Sequence, residues 1–407
     1  MDFTFSEEQQ AAAEAARGVF AGVAPDAVPS PALTPGAVAD DFDLALWARL
    51  AEADLLSLLL DAEYGGAGLD AVALCLVLRE SAKVLARVPL LESSAAAAAV
   101  QTYGGAELKS DLLARAGRGE VVLTVASSGR TGHDPAELAV TARPDGDRQD
   151  VDRQDVDRRD GERRDGDGAG HRSGEAAGWI LDGVQTAVPW AHNADFVVVP
   201  ARTDAYRTVL ALVPRLHEGV TVAEQISTTG ERLGELRLES VRIAARDVID
   251  AEGAWEWLRE LLTTGTCALA LGLGRQVLRM TGDYTSKREQ FGFPVATFQA
   301  VAVQAADRYI DLRAMEATLW QAAWRIGSGA QGALPASGDV AVAKIWASEG
   351  VRRIVQTAQH LHGGFGADVD YSLHRYHAWA KHLELSLGPA AAHEEALGDL
   401  LAAHPLA

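Results

Sequence analysis

Cysteine is scarce in this chain, with Cys75 and Cys267 the two examples among 407 residues. They lie far apart in apolar helical surroundings. Neither a disulfide framework nor a cysteine metal site is spelled out, and a reduced, cytoplasmic setting is expected. Positive charge is also in short supply: Lys and Arg number 37 against 57 Asp and Glu, a formal net charge of −20. Such an excess repels a polyanion, so no nucleic-acid partner is expected, although a local arginine can still hold one phosphate-bearing ligand. Apolar runs are broken by charges before they reach bilayer length, so no membrane span is expected. The opening "MDFTFSEEQQ" lacks the basic and apolar regions of a signal peptide.

What the chain does have is apolar residue, 48% of it, enough for a packed core in one large domain or two to three subdomains. Ser6 and Gln9 read as a capping box, and alanines with Phe20 continue an apolar stripe. Runs such as "LALWARLAEADLLSLLL" and "AVALCLVLRESAKVLARV" carry helical patterning through 43–117, interrupted at the glycines of "EYGGAGLD". The middle changes character. "EVVLTVASS", "ELAVTARP", "GWILDGVQTAV", "ADFVVVPART", "TVLALVPRL" and "GELRLESVRI" are β-branched or alternating runs between turn residues. They predict a small antiparallel barrel or sandwich. Inside it, "DRQDVDRQDVDRRDGERRDG" repeats imperfectly from Asp147 to Gly166 and offers nothing to bury. A solvated, disordered insertion at 144–177 is expected there in preference to a binding element. The fold class is therefore α+β with several subdomains. Residues 1–118 form an N-terminal helical subdomain, 119–248 the central β barrel or sandwich, and 249–407 a C-terminal four-helix bundle.

The segment "YTSKREQFGFPVATFQAVAVQAADRYIDLRAMEAT" (284–318) carries the most specific chemistry. One helix is expected to end at Phe291-Gly292, Pro294 forbids its continuation, and a second helix restarts near Thr297. Arg288 and Gln299 then share a corner that suits a diphosphate, which an arginine can hold with two parallel hydrogen bonds. An arginine paired with a carboxylate at a helix junction fits the same pattern.

Arg288, Phe291, Gly292, Pro294, Phe298 and Gln299 spell R-x-x-F-G-x-P-x-x-x-F-Q without a gap, and "QHLHGGFGADVDYSLHRYHAWAK" (359–381) supplies a glycine turn of the form Q-x-x-G-G-x-G or a one-residue variant. On these two motifs, in this order within an α–β–α chain, the sequence resembles the acyl-CoA dehydrogenase family over essentially its whole length. The resemblance implies FAD, an acyl-CoA or acyl-carrier thioester, and α,β-dehydrogenation by a carboxylate base. It also implies a FAD site shared across a subunit interface. Arg288, Gln290, Phe291, Phe298 and Gln299 would reach a neighbour's FAD, together with the turn of Gln359, His360, Gly363 and Gly364. Counting back from Gly363 puts His360 at the glutamine position of that turn.

The half that would serve the chain's own flavin and substrate departs from the family pattern. The flavin-contacting loop corresponds to "TVASSGRTGHD" (124–134), which keeps Thr124 and a glycine. The ring-packing tripeptide corresponds to Ala187-Val188-Pro189, and Trp190, in an extended segment, is expected on the opposite face. The substrate-side arginine is replaced by Thr263. The usual base position, six residues after Ala380-Lys381, holds Leu387, and the alternative one holds Leu262. Leu387 is expected to fill the cavity. Glu384, one turn earlier, and Glu260 are candidate substitutes, each also readable as a solvated helix carboxylate. The tail "AKHLELSLG" resembles base-lacking subunits of heterotetrameric actinobacterial-type acyl-CoA dehydrogenases, which implies a homologous catalytic partner chain. A self-sufficient flavin-dependent oxidase or monooxygenase of the same fold, and a non-catalytic acyl-binding scaffold, are the other readings.

Overall fold

The computed structural model describes residues 4–29, 31, 34–129, 138–145 and 178–404; the repeat insertion lies outside the described residues, apart from Pro144 and Asp145. Helix α1 (Glu7–Phe20) starts at the expected capping box, with the Gln9 N–H donating to Ser6 Oγ at 3.2 Å and the Ser6 N–H to Gln9 Oε1 at 3.0 Å. Four further helices complete the N-terminal part: α2 (Leu44–Glu52), α3 (Ala71–Ala82), α4 (Leu90–Tyr103) and α5 (Ala106–Gly117). The "EYGGAGLD" turn ends at Asp70, whose carboxylate caps α3 by accepting from the Ala73 N–H at 3.1 Å. Helix α3 is buried almost all round, so it is a core helix rather than an amphipathic surface one.

The central module consists of β1 (Leu123–Val125), β2 (Val140–Pro144), β3 (Gly178–Pro189), β4 (Phe196–Thr203), β5 (Thr208–Pro214), β6 (Val220–Ile226), β7 (Arg232–Ala244) and β8 (Val248–Ile249). The strand order is β6-β7-β3-β2-β4-β5-β8. The sheet is mixed, not purely antiparallel as expected: β1 and β2 each pair in parallel with β4, at opposite ends of it. Strand β6 was not among the runs read from the sequence, because its residues alternate between half-buried and exposed without a strongly apolar face.

After the sheet, α6 (Ala254–Lys287) crosses the molecule, followed by the hairpin β9 (Glu289–Gln290) and β10 (Phe293–Pro294). Helices α7 (Gln299–Ser328), α8 (Ala336–His362), α9 (Leu373–Leu385) and α10 (Ala390–Ala403) complete the chain. Contrary to the hydropathy expectation, α6 is long and apolar enough to cross a membrane, but 78% of its apolar window is buried inside the fold, so burial in protein accounts for its character. One hydrophobic core joins the helices before and after the sheet, and a second fills the β module. A buried ion pair between Arg375 of α9 and Asp26 ties the N-terminal segment down, and the Trp379 indole also donates to Asp26 at 2.7 Å.

Candidate functional site

Helix α6 stops at Lys287, four residues before the expected Phe291-Gly292 end. Phe291 and Gly292 instead have φ of 54° and 80° and form the two-residue turn of the β9–β10 hairpin, the left-handed pair such turns require. Arg288 follows the last helical residue. Its N–H donates to Tyr284 O at 2.8 Å and its carbonyl accepts from the Val295 N–H at 2.7 Å, which fixes its backbone on both sides. Its exposed guanidinium has no hydrogen-bond or ion-pair partner among the described residues, so the carboxylate-paired alternative is not what the fold contains. Gln299 is the first residue of α7, whose N-cap Phe298 provides no side-chain acceptor. The helix start therefore points free N–H groups outward, an arrangement suited to an anion. Phe291 is 89% exposed and meets Phe298 edge-on at 6.4 Å. Gln290 turns its amide back onto the Glu289 carbonyl at 2.7 Å.

The second motif lies against the first. Gly363, with φ 61°, ends α8, and the Gln359 amide donates to its carbonyl at 3.0 Å. Tyr284, one turn before Arg288, stacks on His362 at 4.4 Å and Phe365 at 5.4 Å. Through this stack, the foot of α6 and the Gly363-Gly364 turn are brought to one face. His360 is exposed beside them. Along α7, Val303, Ile310, Ala317 and Trp324 recur every seven residues and are all exposed, while Leu312, Met315 and Leu319 on the other side are buried. Helix α7 thus has two apolar faces, and the fold covers one of them.

A cavity of about 360 Å³ opens between α3, α4, α6, the end of β3 and the α9–α10 connection. Leu262, Leu387 and Trp190 line it. Leu387 does not fill the space, and Trp190 does not face away. Ala187 (φ 50°) and Trp190 (φ 56°) both adopt left-handed backbone, which breaks the extended alternation and turns the indole inward. Leu387 (φ 57°) sits in the turn after α9, so helical spacing does not carry through to it. Glu384 consequently does not share its face. Glu384 is absent from the cavity lining and pairs with Lys381 at 2.7 Å. Glu260 is also outside, next to Arg259, with burial raising its pKa. Thr263 is buried and donates to the Arg259 carbonyl at 2.8 Å.

Three features of this cavity were not foreseen. Glu92, in the first turn of α4, lines it, and burial pushes its carboxyl from 4.5 up to about 7 against the opposing hydrogen bonds of its backbone N–H and the Trp190 indole. His382 lines it too, and burial, with the Lys344 charge nearby, lowers the imidazole from 6.5 to about 4. Lys344, fully buried on α8, donates to Ser348 Oγ at 2.9 Å and to the Leu383 and Glu384 carbonyls at 2.8 and 3.1 Å. Those bonds anchor the end of α9 just before the Leu387 turn. Burial depresses its pKa to about 8. No sequence signal marks Glu92, since an acid in a first helical turn is what dipole compensation alone would place there.

A helical module, a mixed sheet and a helical bundle, with an exposed arginine at the foot of α6 and a largely apolar cavity between helices and sheet, make up the architecture of a flavoprotein dehydrogenase. Family models for the acyl-CoA dehydrogenase N-terminal domain and C-terminal domain match residues 6–120 and 260–401. The chain is 34% identical over 369 residues to "Acyl-CoA dehydrogenase FadE27" of Mycobacterium tuberculosis, covering 89% of this chain and 90% of that one. Among solved structures it is similar to the ChsE4-ChsE5 complex from Mycobacterium tuberculosis, with TM-score 0.82, 33% identity and full coverage of both chains. A variant of the Tcur3481-Tcur3483 steroid ACAD matches with TM-score 0.81 and 34% identity over 98% of each chain. The chain belongs to the acyl-CoA dehydrogenase family, whose members are oxidoreductases.

Proposed function

We propose that this chain is a subunit of a heteromeric, cytoplasmic acyl-CoA dehydrogenase, most simply a heterotetramer, and lends the diphosphate and adenosine side of a FAD site to a homologous catalytic partner. The observation that carries this reading is the contrast between an unpaired, backbone-fixed Arg288 on an open corner and leucines, Leu262 and Leu387, at both positions where a base belongs. FAD, when bound, supplies the acceptor for the hydride that leaves the β-carbon of the acyl thioester. The chain's own residues fit the other end of that group. Arg288 would hold a diphosphate oxygen pair, the free N–H groups at the start of α7 and the Gln299 amide would add donors, and Phe291 and Phe298 would wall it. Gln290 would border that corner, and the turn of Gln359, His360, Gly363 and Gly364 would serve the adenosine side. The exposed heptad stripe on α7 supplies an apolar face for a partner, and relatives described as the ChsE4-ChsE5 complex and the Tcur3481-Tcur3483 pair support a heteromer.

Glu92 favours one rival, a self-sufficient flavoenzyme that uses a relocated carboxylate in its own cavity. Flavin content separates the two. The chain expressed alone is expected to purify nearly colourless and to gain flavin absorbance on co-purification with a homologous chain carrying the glutamate. Stoichiometric yellow flavin on the homogeneous single chain would establish the rival.

A further inference from the structure

Four aromatic rings close on one another where the two sequence motifs meet. Tyr284 stacks on His362 at 4.4 Å, His362 meets Tyr371 at 5.4 Å, Tyr371 meets Phe365 at 4.4 Å, and Phe365 stacks back on Tyr284 at 5.4 Å. The rings come from the foot of α6, the end of α8, the Gly363–Ala367 turn and the segment before α9, so the quartet is the joint that keeps those pieces in register. His362 is 3% exposed and bonded at three points. Its Nδ1 lies 2.8 Å from the Ala358 carbonyl oxygen, its Nε2 lies 3.2 Å from the Tyr371 hydroxyl, and its own carbonyl accepts from the Tyr284 hydroxyl at 3.4 Å. A carbonyl can only accept, so Nδ1 carries the proton of the neutral ring and Nε2 accepts from the Tyr371 O–H. Both ring nitrogens are then satisfied. A second proton would make Nε2 a donor aimed at a hydroxyl that was itself donating, and would set a charge inside a buried aromatic enclosure. The turn is packed hard on this ring: a Cβ on Gly366 would come within 3.0 Å of the His362 Cβ.

We propose that His362 is a positioning residue for the FAD corner and works as a proton-sensitive latch: the neutral ring holds the Gly363-Gly364 turn against the foot of α6, and the protonated ring opens the quartet and loosens the partner's FAD. The inference rests on the reading above, in which this turn serves the adenosine side of that FAD. Burial lowers the His362 pKa from 6.5, against the Ala358 hydrogen bond, which raises it. An opened turn therefore takes up the proton more readily than a closed one. Closure is fully favoured above pH 6.5 and weakens as pH falls through the folded value.

The groups around the ring leave this dependence to His362. On α6, Asp283 behind Tyr284 is paired with Arg279 at 3.0 Å. In the segment before α9, burial raises the Tyr371 hydroxyl, with Asp283 adding to the shift, so it moves away from the neutral range. The turn contributes Phe365, which carries no exchangeable side-chain proton. His374 on α9 is bonded through Nδ1 to the Tyr371 carbonyl at 2.9 Å, and His360 on α8 is exposed. Both of these histidines stay in place when His362 is replaced, which separates their titration from that of the latch.

The test is FAD dissociation from the co-expressed pair at about pH 7.5 and about pH 5, followed by flavin fluorescence. The wild type is expected to release FAD severalfold faster at the lower pH, with about thirtyfold as the ceiling set by an imidazole of ordinary pKa 6.5 in the opened turn. His362→Phe keeps a ring in the stack without a titrating proton and should release FAD at the same rate at both pH values. Equal wild-type rates, or the same acid response in His362→Phe, overturn the latch. Should His362→Phe fail to fold, hydrogen exchange of the 363–367 amides in the wild-type chain, corrected for intrinsic pH dependence, decides the matter. More opening at about pH 5 upholds the latch, and equal opening overturns it. Arg288→Ala at about pH 7.5 keeps the two readings apart. Faster release from Arg288→Ala, with a wild type indifferent to acid, leaves the heteromer reading standing and sinks the latch. Release from Arg288→Ala at the wild-type rate removes both, since this chain then holds no FAD for its partner.

Discussion

Arg288 stands in a chain with 57 acidic side chains, yet none of them reaches it among the described residues. Because its backbone is held by Tyr284 and Val295, removing the guanidinium leaves the helix end and hairpin bonded as before. Arg288→Ala is therefore expected to keep the melting temperature of the assembled enzyme and weaken FAD retention roughly tenfold to hundredfold, the loss of about 1.5–3 kcal/mol from a charge-assisted contact. Flavin release monitored in a denaturant-free dilution checks this, and unchanged retention would make Arg288 a bystander. Glu384 is the converse case. Its carboxylate sits outside the cavity beside Lys381, so Glu384→Gln should leave turnover of an acyl-CoA with an artificial acceptor within about twofold, where losing a true base costs at least two orders of magnitude. Glu92 and His382 give a pH signature in stability. Glu92 is raised from 4.5 to about 7, so the stability it contributes is full below 4.5 and is lost as pH rises through 7. His382 is lowered from 6.5 to about 4, so its contribution is present above 6.5 and is lost as pH falls toward 4. Between those limits the two slopes oppose and nearly cancel. Glu92→Gln removes one of them, and its advantage over the wild type in the unfolding free energy from urea titrations should grow by about 2 kcal/mol between about pH 5.5 and 8.5. A constant offset would mean that Glu92 titrates normally.

Packing between elements sets how close the cavity walls come, and glycines on α6 make that approach possible. A Cβ on Gly272 would lie 2.1 Å from the Arg79 carbonyl oxygen of α3, and one on Gly265 would meet the Leu91 Cδ1 of α4 at 2.2 Å. A leucine methyl can swing away, whereas a helix backbone cannot. Alanine in a helix also gains up to about 1 kcal/mol over glycine. Gly265→Ala is thus expected to be near neutral, while Gly272→Ala should lose about 1–3 kcal/mol from overpacking. Chemical denaturation of both variants checks the order, and an equal loss would show that α4 is as unyielding as α3. The same dependence on packing explains what could be read beforehand. The capping box at Ser6 and Gln9 and the restart of a helix beyond Pro294, at Gln299, were legible because each is a short-range pattern with fixed spacing. Trp190 was placed on the wrong face because a two-residue alternation assumes extended backbone, and Ala187 and Trp190 leave it. The helix end was set four residues late because Phe291-Gly292 can serve a helix stop or a hairpin turn equally well, and the Val295 bond to Arg288 decides for the hairpin. Glu92 had no local signature at all. Its environment arises only when α4, α6, the β3 end and the Leu387 turn meet.

At the scale of the whole molecule, two surfaces are unfinished. The corner exposes Phe291, Phe293 and Phe298, and α7 exposes Val303, Ile310, Ala317 and Trp324 at seven-residue intervals. Singly exposed apolar residues are ordinary, but a stripe along a 30-residue helix whose opposite face is already packed is how an association surface looks. The charge of −20 keeps such a chain soluble and weighs against self-association through long-range repulsion, which favours a partner of different charge pattern over a second copy. Ile310, 63% exposed at the middle of the stripe, is the position where a charge should do most harm to assembly and least to folding. Ile310→Glu is expected to leave circular dichroism and the melting temperature of the isolated chain unchanged, because the side chain buries little in the free protein. In the co-expressed pair it should weaken association at least tenfold and lower bound flavin in the same proportion, since the Arg288 corner then has no partner FAD to hold. Sedimentation at several concentrations with flavin absorbance as the detected signal measures both at once. If the pair assembled normally and kept its flavin, the α7 face would lie outside the interface, and the exposed Phe291 and Phe293 of the β9–β10 hairpin would be the next positions to change.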